Sequence, residues 1–275
     1  MAIKSILVAY SGDAQASGGL NLALQMARKY DAHLTGVVSH GPSLVESQYY
    51  RYMNEDILKI LRDRDAGTVA EIRAQFEARV SAWGREDSAT FLDLKAQSGF
   101  TLTECARTYD IVIMGRRASE VGREHFSELP DEVALNAARP VILVPRDYNE
   151  EQLNEHMLVA WDGKRAAARA LGDAMRILGS KNRVTVLSVG NAGGPAPFGD
   201  DVVTFLGRHG ITAERLTREA GRKGITGAIL DTCREVGAGL LVMGAYEHSR
   251  LREELMGGVT RDILENADLP VLLSH

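Results

Sequence analysis

Apolar residues along this chain gather in short runs, separated by stretches in which they recur every three to four positions. The runs ILVAY (residues 6–10), IVIMG (111–115), PVILVP (140–145), LVAW (158–161), VTVLSV (184–189) and PVLLS (270–274) are too short for helices and stop at turn signals, as buried strands do. Between them, Ala167, Ala170, Leu171, Ala174, Met175 and Leu178 fall at i, i+3, i+4, i+7, i+8 and i+11, one apolar stripe of a helix. Ile225, Ala228, Ile229, Thr232 and Val236 mark a second sheet-packing helix before LLVMG. The C-terminal part therefore predicts strand, helix, strand, a short helix and strand, then helix, strand, helix, strand. Such alternation builds βαβ units around a parallel sheet with helices on both faces.

The pattern occurs twice. Residues 6–27 overlay residues 157–178 at an offset of 151, with Leu7, Val8, Ala9, Tyr10 and Gly12 meeting Leu158, Val159, Ala160, Trp161 and Gly163. DIVIMG, ending at Gly115, matches GLLVMG, ending at Gly244, and each copy finishes in a proline-led strand. A period above a hundred residues is too long for a solenoid and predicts a duplicated domain. The expected fold is α/β, with two tandem doubly wound parallel-sheet domains over 1–148 and 153–275, joined near DYNEEQLNE at 147–155. The two closing strands, PVILVP and PVLLS, are suited to pair and hide each other's edges, which makes the chain its own pseudo-dimer. The N-terminal copy carries an extra stretch in which Val69, Ile72, Phe76, Val80 and Trp83 recur at helical spacing. Tyr49, Tyr50, Tyr52 and Met53 precede it; such a cluster is expected in the core, with a contact surface between two chains as the alternative.

Composition narrows the class. With 45% apolar and 25% charged residues, and no run near the roughly 20 apolar residues of a membrane span, the expectation is a cytoplasmic protein without a membrane role. Cys105 and Cys233 lie apart in helical patterns, as buried structural thiols of a reducing compartment. Seven histidines show no HExxH or other ligand spacing, so no protein-built metal site is indicated. A net charge of -5 offers nucleic acid no general attraction.

In an open parallel sheet, ligands sit outside the carboxyl ends of the strands, where strand order reverses. Gly244 ends such a strand, and Gly257 and Gly258 lie where the next helix begins. Unpaired N–H groups and the positive end of a helix dipole suit an anion there, and Thr260 adds a hydroxyl. Asp162 in WDG leaves the first strand of this copy at the same edge. Its carboxylate can accept hydrogen bonds from ribose hydroxyls or an adenine amine, or it can simply cap the next helix.

Taken together these pieces resemble the universal stress protein family in its tandem form, over nearly the whole chain. Nucleotide-binding members carry Gly-x2-Gly-x9-Gly-(Ser/Thr) after the fourth strand and an aspartate after the first. Gly244 fills the first glycine position, Gly257 the third, and Asp162 is the aspartate. The resemblance implies a Rossmann-like, adenine nucleotide alpha hydrolase-like fold and ATP or a related adenine nucleotide, with magnesium or manganese. Its implied contacts are Ala160, Asp162, Val189, Met243, Gly244, Glu247, His248, Arg250, Gly257, Gly258, Val259 and Thr260. Two departures stand out: Glu247 holds the second glycine position, and Gly258 the place of the hydroxyl residue. A carboxylate facing phosphates costs like-charge repulsion, for Arg250 and Arg252 or a metal to offset. The N-terminal copy has Ser11 in place of the aspartate, with Ala118 and Glu128 at glycine positions, and is expected to have lost the site.

Three functions compete. The first is a stress-response module that binds ATP in its C-terminal domain and works through protein partners; slow hydrolysis or self-phosphorylation is attached to the family, and His248 is the one obvious general base. The second is an interaction scaffold with both sites defunct, which Glu247 favours. The third is an ATP pyrophosphatase, whose SGGxDS motif YSGDAQAS matches only loosely because Gly18 and Gly19 come too late. No GxGxxG follows the first strand of either copy, which argues against NAD.

Overall fold

The computed structural model describes residues 3–13, 17–41, 48–95, 100–115, 124–126, 129–190, 201–245 and 258–274. Strands are β1 (Ser5–Ala9), β2 (His33–Val38), β3 (Ala89–Asp93), β4 (Ile111–Gly115), β5 (Val141–Val144), β6 (His156–Ala160), β7 (Arg183–Val189), β8 (Ala213–Arg218), β9 (Leu240–Gly244) and β10 (Val271–Ser274). Helices are α1 (Ser17–Tyr30), α2 (Glu55–Ser81), α3 (Leu102–Ala106), α4 (Pro130–Asn136), α5 (Arg165–Leu178), α6 (Val202–Arg208), α7 (Gly224–Val236) and α8 (Gly258–Asn266).

All ten strands form one sheet in the order β3-β2-β1-β4-β5-β10-β9-β6-β7-β8. Every neighbouring pair is parallel except β5 with β10, which run antiparallel with Ile142 opposite Leu272. Each half repeats the same strand order outward from that central pair, so the halves mirror one another about it. β1 has β2 on one side and β4 on the other, and β6 likewise lies between β7 and β9. Those are the two reversal points.

Helices α1, α2, α5 and α6 cover one face, and α3, α4, α7 and α8 the other. Residues from both halves share each of the two cores. Side-chain alternation on the strands divides them: Met157 and Val159 of β6 face the α5 side, and Leu158 the α7 side. The outermost strand β8 carries Glu214, Arg215 and Arg218, with Arg183 of β7 beside Glu214 at 3.2 Å. Charge on an edge strand opposes pairing with another sheet.

The join is tied down. Tyr148 is 9% exposed, and Gln25 of α1 donates to the Glu150 carbonyl. Lys29 at the end of α1 pairs with Glu155 at 2.7 Å and donates to the Ser180 carbonyl, and Arg176 of α5 pairs with Asp110 before β4.

Several expectations need correction. Tyr49 and Tyr52 are 54% and 86% exposed, so these two do not belong to the core. Trp83 lies beyond α2, which ends at Ser81, although the ring still packs against the core. Ile225 is exposed in the first turn of α7, and the buried positions of that helix are Ile229, Leu230, Thr232 and Cys233. Cys233 is buried as expected, whereas Cys105 is only partly so.

Candidate functional site

The carboxyl ends of β6, β7 and β9 open on one rim of the C-terminal half because these strands are parallel. β6 is extended by Trp161, whose N–H donates to the Leu187 carbonyl at 2.8 Å. The chain then turns at Gly163 with φ +76°, a left-handed conformation that suits glycine. The carboxylate of Asp162 accepts from the Lys164 backbone N–H at 3.0 Å, and the residue is exposed. One carboxylate oxygen thus shapes the turn leading into α5. The N-cap of α5 is Lys164, with no side-chain hydrogen bond, so Asp162 does not cap that helix but closes the turn before it, at the rim.

β7 ends at Val189, and the left-handed Gly190, φ +67°, donates to the Arg218 carbonyl at 2.7 Å. Ala160, Val189 and Met243 all lie on the α7/α8 face of the sheet. Ser188 was not singled out from the sequence, yet its hydroxyl donates to the Trp161 carbonyl at 3.0 Å and locks the β6 and β7 ends together. Its signal was a polar residue inside the apolar run VTVLSV.

Gly244 has a packing reason of its own. A Cβ there would meet the backbone of Ala166 and Ala167 at 2.4 and 2.6 Å, so the glycine lets α5 approach β9. Gly19 does the same for α1, where a Cβ would come within 2.9 Å of the Gly115 nitrogen. Gly18 in turn lets α1 approach the join, where a Cβ would meet the Tyr148 carbonyl at 2.9 Å, so both glycines belong to packing. Gly258 differs, because nothing described lies within 4 Å of a Cβ added to it. It opens α8, whose first turn holds no acidic residue. A helix start of this kind can receive an anion. Val259 is partly buried and packed on the core, and Thr260 is 6% exposed on the inner side of α8 with Ile263.

Ala160, Asp162, Val189, Met243, Gly244 and the start of α8 at Gly258, Val259 and Thr260 are thus gathered by chain direction at one carboxyl rim. Glu247, His248, Arg250, Arg252 and Gly257 lie outside the described residues, as do Arg116, Arg117, Ala118, Arg123 and Glu128 of the other half. No group of three His, Cys, Asp or Glu among the described residues is placed to hold a metal.

At the opposite, amino-terminal rim, a cleft of about 220 Å³ is lined by Tyr148, Asn154, Cys233, Arg234 and Asp268 among others. Arg234 there pairs with Asp268 at 2.8 Å and with Asp231 at 3.1 Å. Burial, followed by the Asp268 carboxylate, pushes the Cys233 thiol up to about 12, too high for a nucleophile near neutral pH. The carboxyl rim is the better candidate.

An open, mostly parallel α/β sheet with a strand-order reversal in each half defines the class of fold. Within that class, residues 154–275 match the universal stress protein family and form a domain of it. A universal stress protein of Synechocystis, Slr1230, is 24% identical over 178 residues, which cover 60% of this chain. The chain spans 57% of the length of that relative. A solved universal stress protein from Archaeoglobus fulgidus superposes with a TM-score of 0.68 at 16% identity, covering 98% of this chain and 97% of that one. A second solved structure, described as a universal stress protein from Pseudomonas aeruginosa, gives a TM-score of 0.57 at 17% identity, covering 99% and 93%. At these identities the likeness shows the fold. No helix among the described residues is long and apolar enough to cross a membrane.

Proposed function

We propose that the C-terminal half binds an adenine nucleotide, ATP first, at the carboxyl rim between β6 and β9, and that residues 1–148 form a second domain of the same family without such a site. The observation that carries this reading is the convergence of Asp162 and the glycine-led, acid-free start of α8 on one rim at a strand-order reversal. The remaining carboxylate oxygen of Asp162 suits a ribose hydroxyl, and the first-turn N–H groups of α8 suit phosphate oxygens. Ala160, Val189 and Met243 offer an apolar floor for the base. Magnesium or manganese, held by the phosphates, would neutralise neighbouring charges there. The protein acts as a stress-response module whose contacts with partner proteins depend on the bound nucleotide, in the cytoplasm, and turnover is not part of this role.

Equilibrium binding of labelled ATP to the purified chain, alongside Asp162→Ala and Gly257→Val, tests the reading. Saturable binding near one nucleotide per chain is expected, weakened in both variants by about tenfold or more, since each removes a hydrogen-bonding or close-approach element worth about 1–2 kcal/mol. Absence of saturable binding by the unmodified chain would instead support a scaffold that holds no nucleotide.

A further inference from the structure

The carboxyl rim of the N-terminal half is built quite differently. Four segments meet there: the residues after β2, the end of β3, the middle of α2 and the turn at Glu124–Phe126 after β4. His40, two residues beyond β2, has a side chain only 4% exposed, and its Nε2 lies 3.3 Å from Asp93 Oδ1. Neither ring nitrogen makes a hydrogen bond among the described residues. The ring of Phe126, 3% exposed, sits 4.9 Å from the His40 ring and 4.1 Å from that of His125.

Helix α2 reaches this stack through Asp65. Its buried positions are Leu58, Asp65, Val69, Ile72, Phe76 and Val80, a core stripe in which Asp65 replaces an apolar residue. The Asp65 side chain, 11% exposed, lies 3.7 Å from Lys95 Nζ and 3.4 Å from His125 Nε2. A carboxylate is buried here only because cationic and hydrogen-bonding groups surround it.

We propose that His40 is the proton-operated part of a latch holding the N-terminal portion of α2 and the 124–126 turn against this rim: neutral His40 keeps the rim closed, and its protonation opens it. The neutral ring fits an enclosed place beside Phe126. An imidazolium carries two N–H donors, and among the described residues only Asp93 lies at contact distance, with no described acceptor at Nδ1. The charged groups acting on the ring are Lys95 and Asp93 from the end of β3 and Asp65 from α2. Burial, followed by the Lys95 ammonium, holds the imidazole below its ordinary value, against the pull of Asp93 and Asp65. Opening returns the ring to water, where its ordinary pKa near 6.5 applies. The closed form is therefore fully favoured above that value and loses ground as the pH falls through it.

Amide hydrogen exchange on the full chain, corrected for intrinsic rates, reads the latch directly. Between pH 7.5 and 5.5, protection over residues 58–69 should fall by up to about tenfold, the limit set by an imidazole of ordinary pKa in the open form. Protection in β6, β9 and β10 should hold, and His40→Asn should remove the pH dependence of residues 58–69. Flat wild-type protection over 58–69, parallel opening of the C-terminal strands, or an unchanged pH dependence in His40→Asn would each overturn the proposal. Should the variant fail to fold, NMR of the wild-type protein with labelled histidine replaces it. A His40 ring that titrates in step with the opening of residues 58–69 supports the latch, and one that stays neutral through it refutes it.

Discussion

His156 shows how one side chain at the start of a strand can tie three elements together. It is 7% exposed, its Nδ1 lies 2.8 Å from the Val236 carbonyl at the end of α7, and its Nε2 lies 2.8 Å from the Thr185 hydroxyl of β7. A carbonyl only accepts, so Nδ1 carries the proton and Nε2 accepts from Thr185. Burial lowers the pKa of this imidazole below its ordinary value, and Arg183 adds to the effect against the Val236 hydrogen bond and Glu214. The folded state then binds its proton less readily than the unfolded chain. Its contribution to stability is full above about pH 6.5 and declines as the pH falls through that value. Urea midpoints at pH 7.5 and 5.5 should differ more for the wild type than for His156→Gln, which keeps polar groups without titrating. Equal differences would remove His156 from the acid sensitivity of the fold. Gly244 teaches a related lesson at the same scale, because a glycine inside a binding motif is here already required by the approach of α5.

Among the elements, α2 departs furthest from the duplicated plan. Its 27 residues begin at an Asn54 cap, whose side chain accepts from the Ile57 N–H, with Glu55 and Asp56 favourably placed in the first turn. It extends over about 40 Å, roughly twice the span of the six-residue β2 beneath it. Ile57 and Ile60 near its start are exposed, and the anchoring apolar side chains from Val69 onward lie over the sheet. Phe76 is the firmest of these, seated against Gly36 of β2, where even a Cβ would come within 2.6 Å of the ring. Phe76→Ala should cost about 3–5 kcal/mol of unfolding free energy, as deletion of a fully enclosed aromatic ring does. A loss below about 1 kcal/mol in urea denaturation would mean that α2 is held elsewhere. The apolar spacing of this helix was legible in sequence, but the inward turn of Asp65 was not. An acid four residues before Val69 reads as solvated until Lys95 and His125, distant in the chain, are seen around it.

At the scale of the whole molecule, the central antiparallel pair makes the two halves one continuous sheet with shared cores. Ile142 of β5 and Leu272 of β10 face each other, both fully buried and in the same core cluster. A cavity at this seam is felt on both sides. Ile142→Ala should destabilise by about 2–5 kcal/mol and lower amide protection in β4 and β9 together. If only the N-terminal half loses protection, the halves unfold independently.

The sequence by itself determined the alternation of strands and helices, the duplicated pattern, and the capacity of the closing strands to pair. These follow from local periodicity, turn residues and spacing, which act over a few neighbouring positions and repeat visibly at an offset of 151. Only the tertiary structure decided the antiparallel register of β5 on β10, the packing role of Gly18, Gly19 and Gly244, the lock of Ser188 on Trp161, and the exposure of Tyr49 and Tyr52. It alone assembled His40, Asp65, Asp93, Lys95, His125 and Phe126. Their meeting depends on contacts between residues as far apart as His40 and Phe126, and burial of a charged or aromatic side chain is a property of what folds over it.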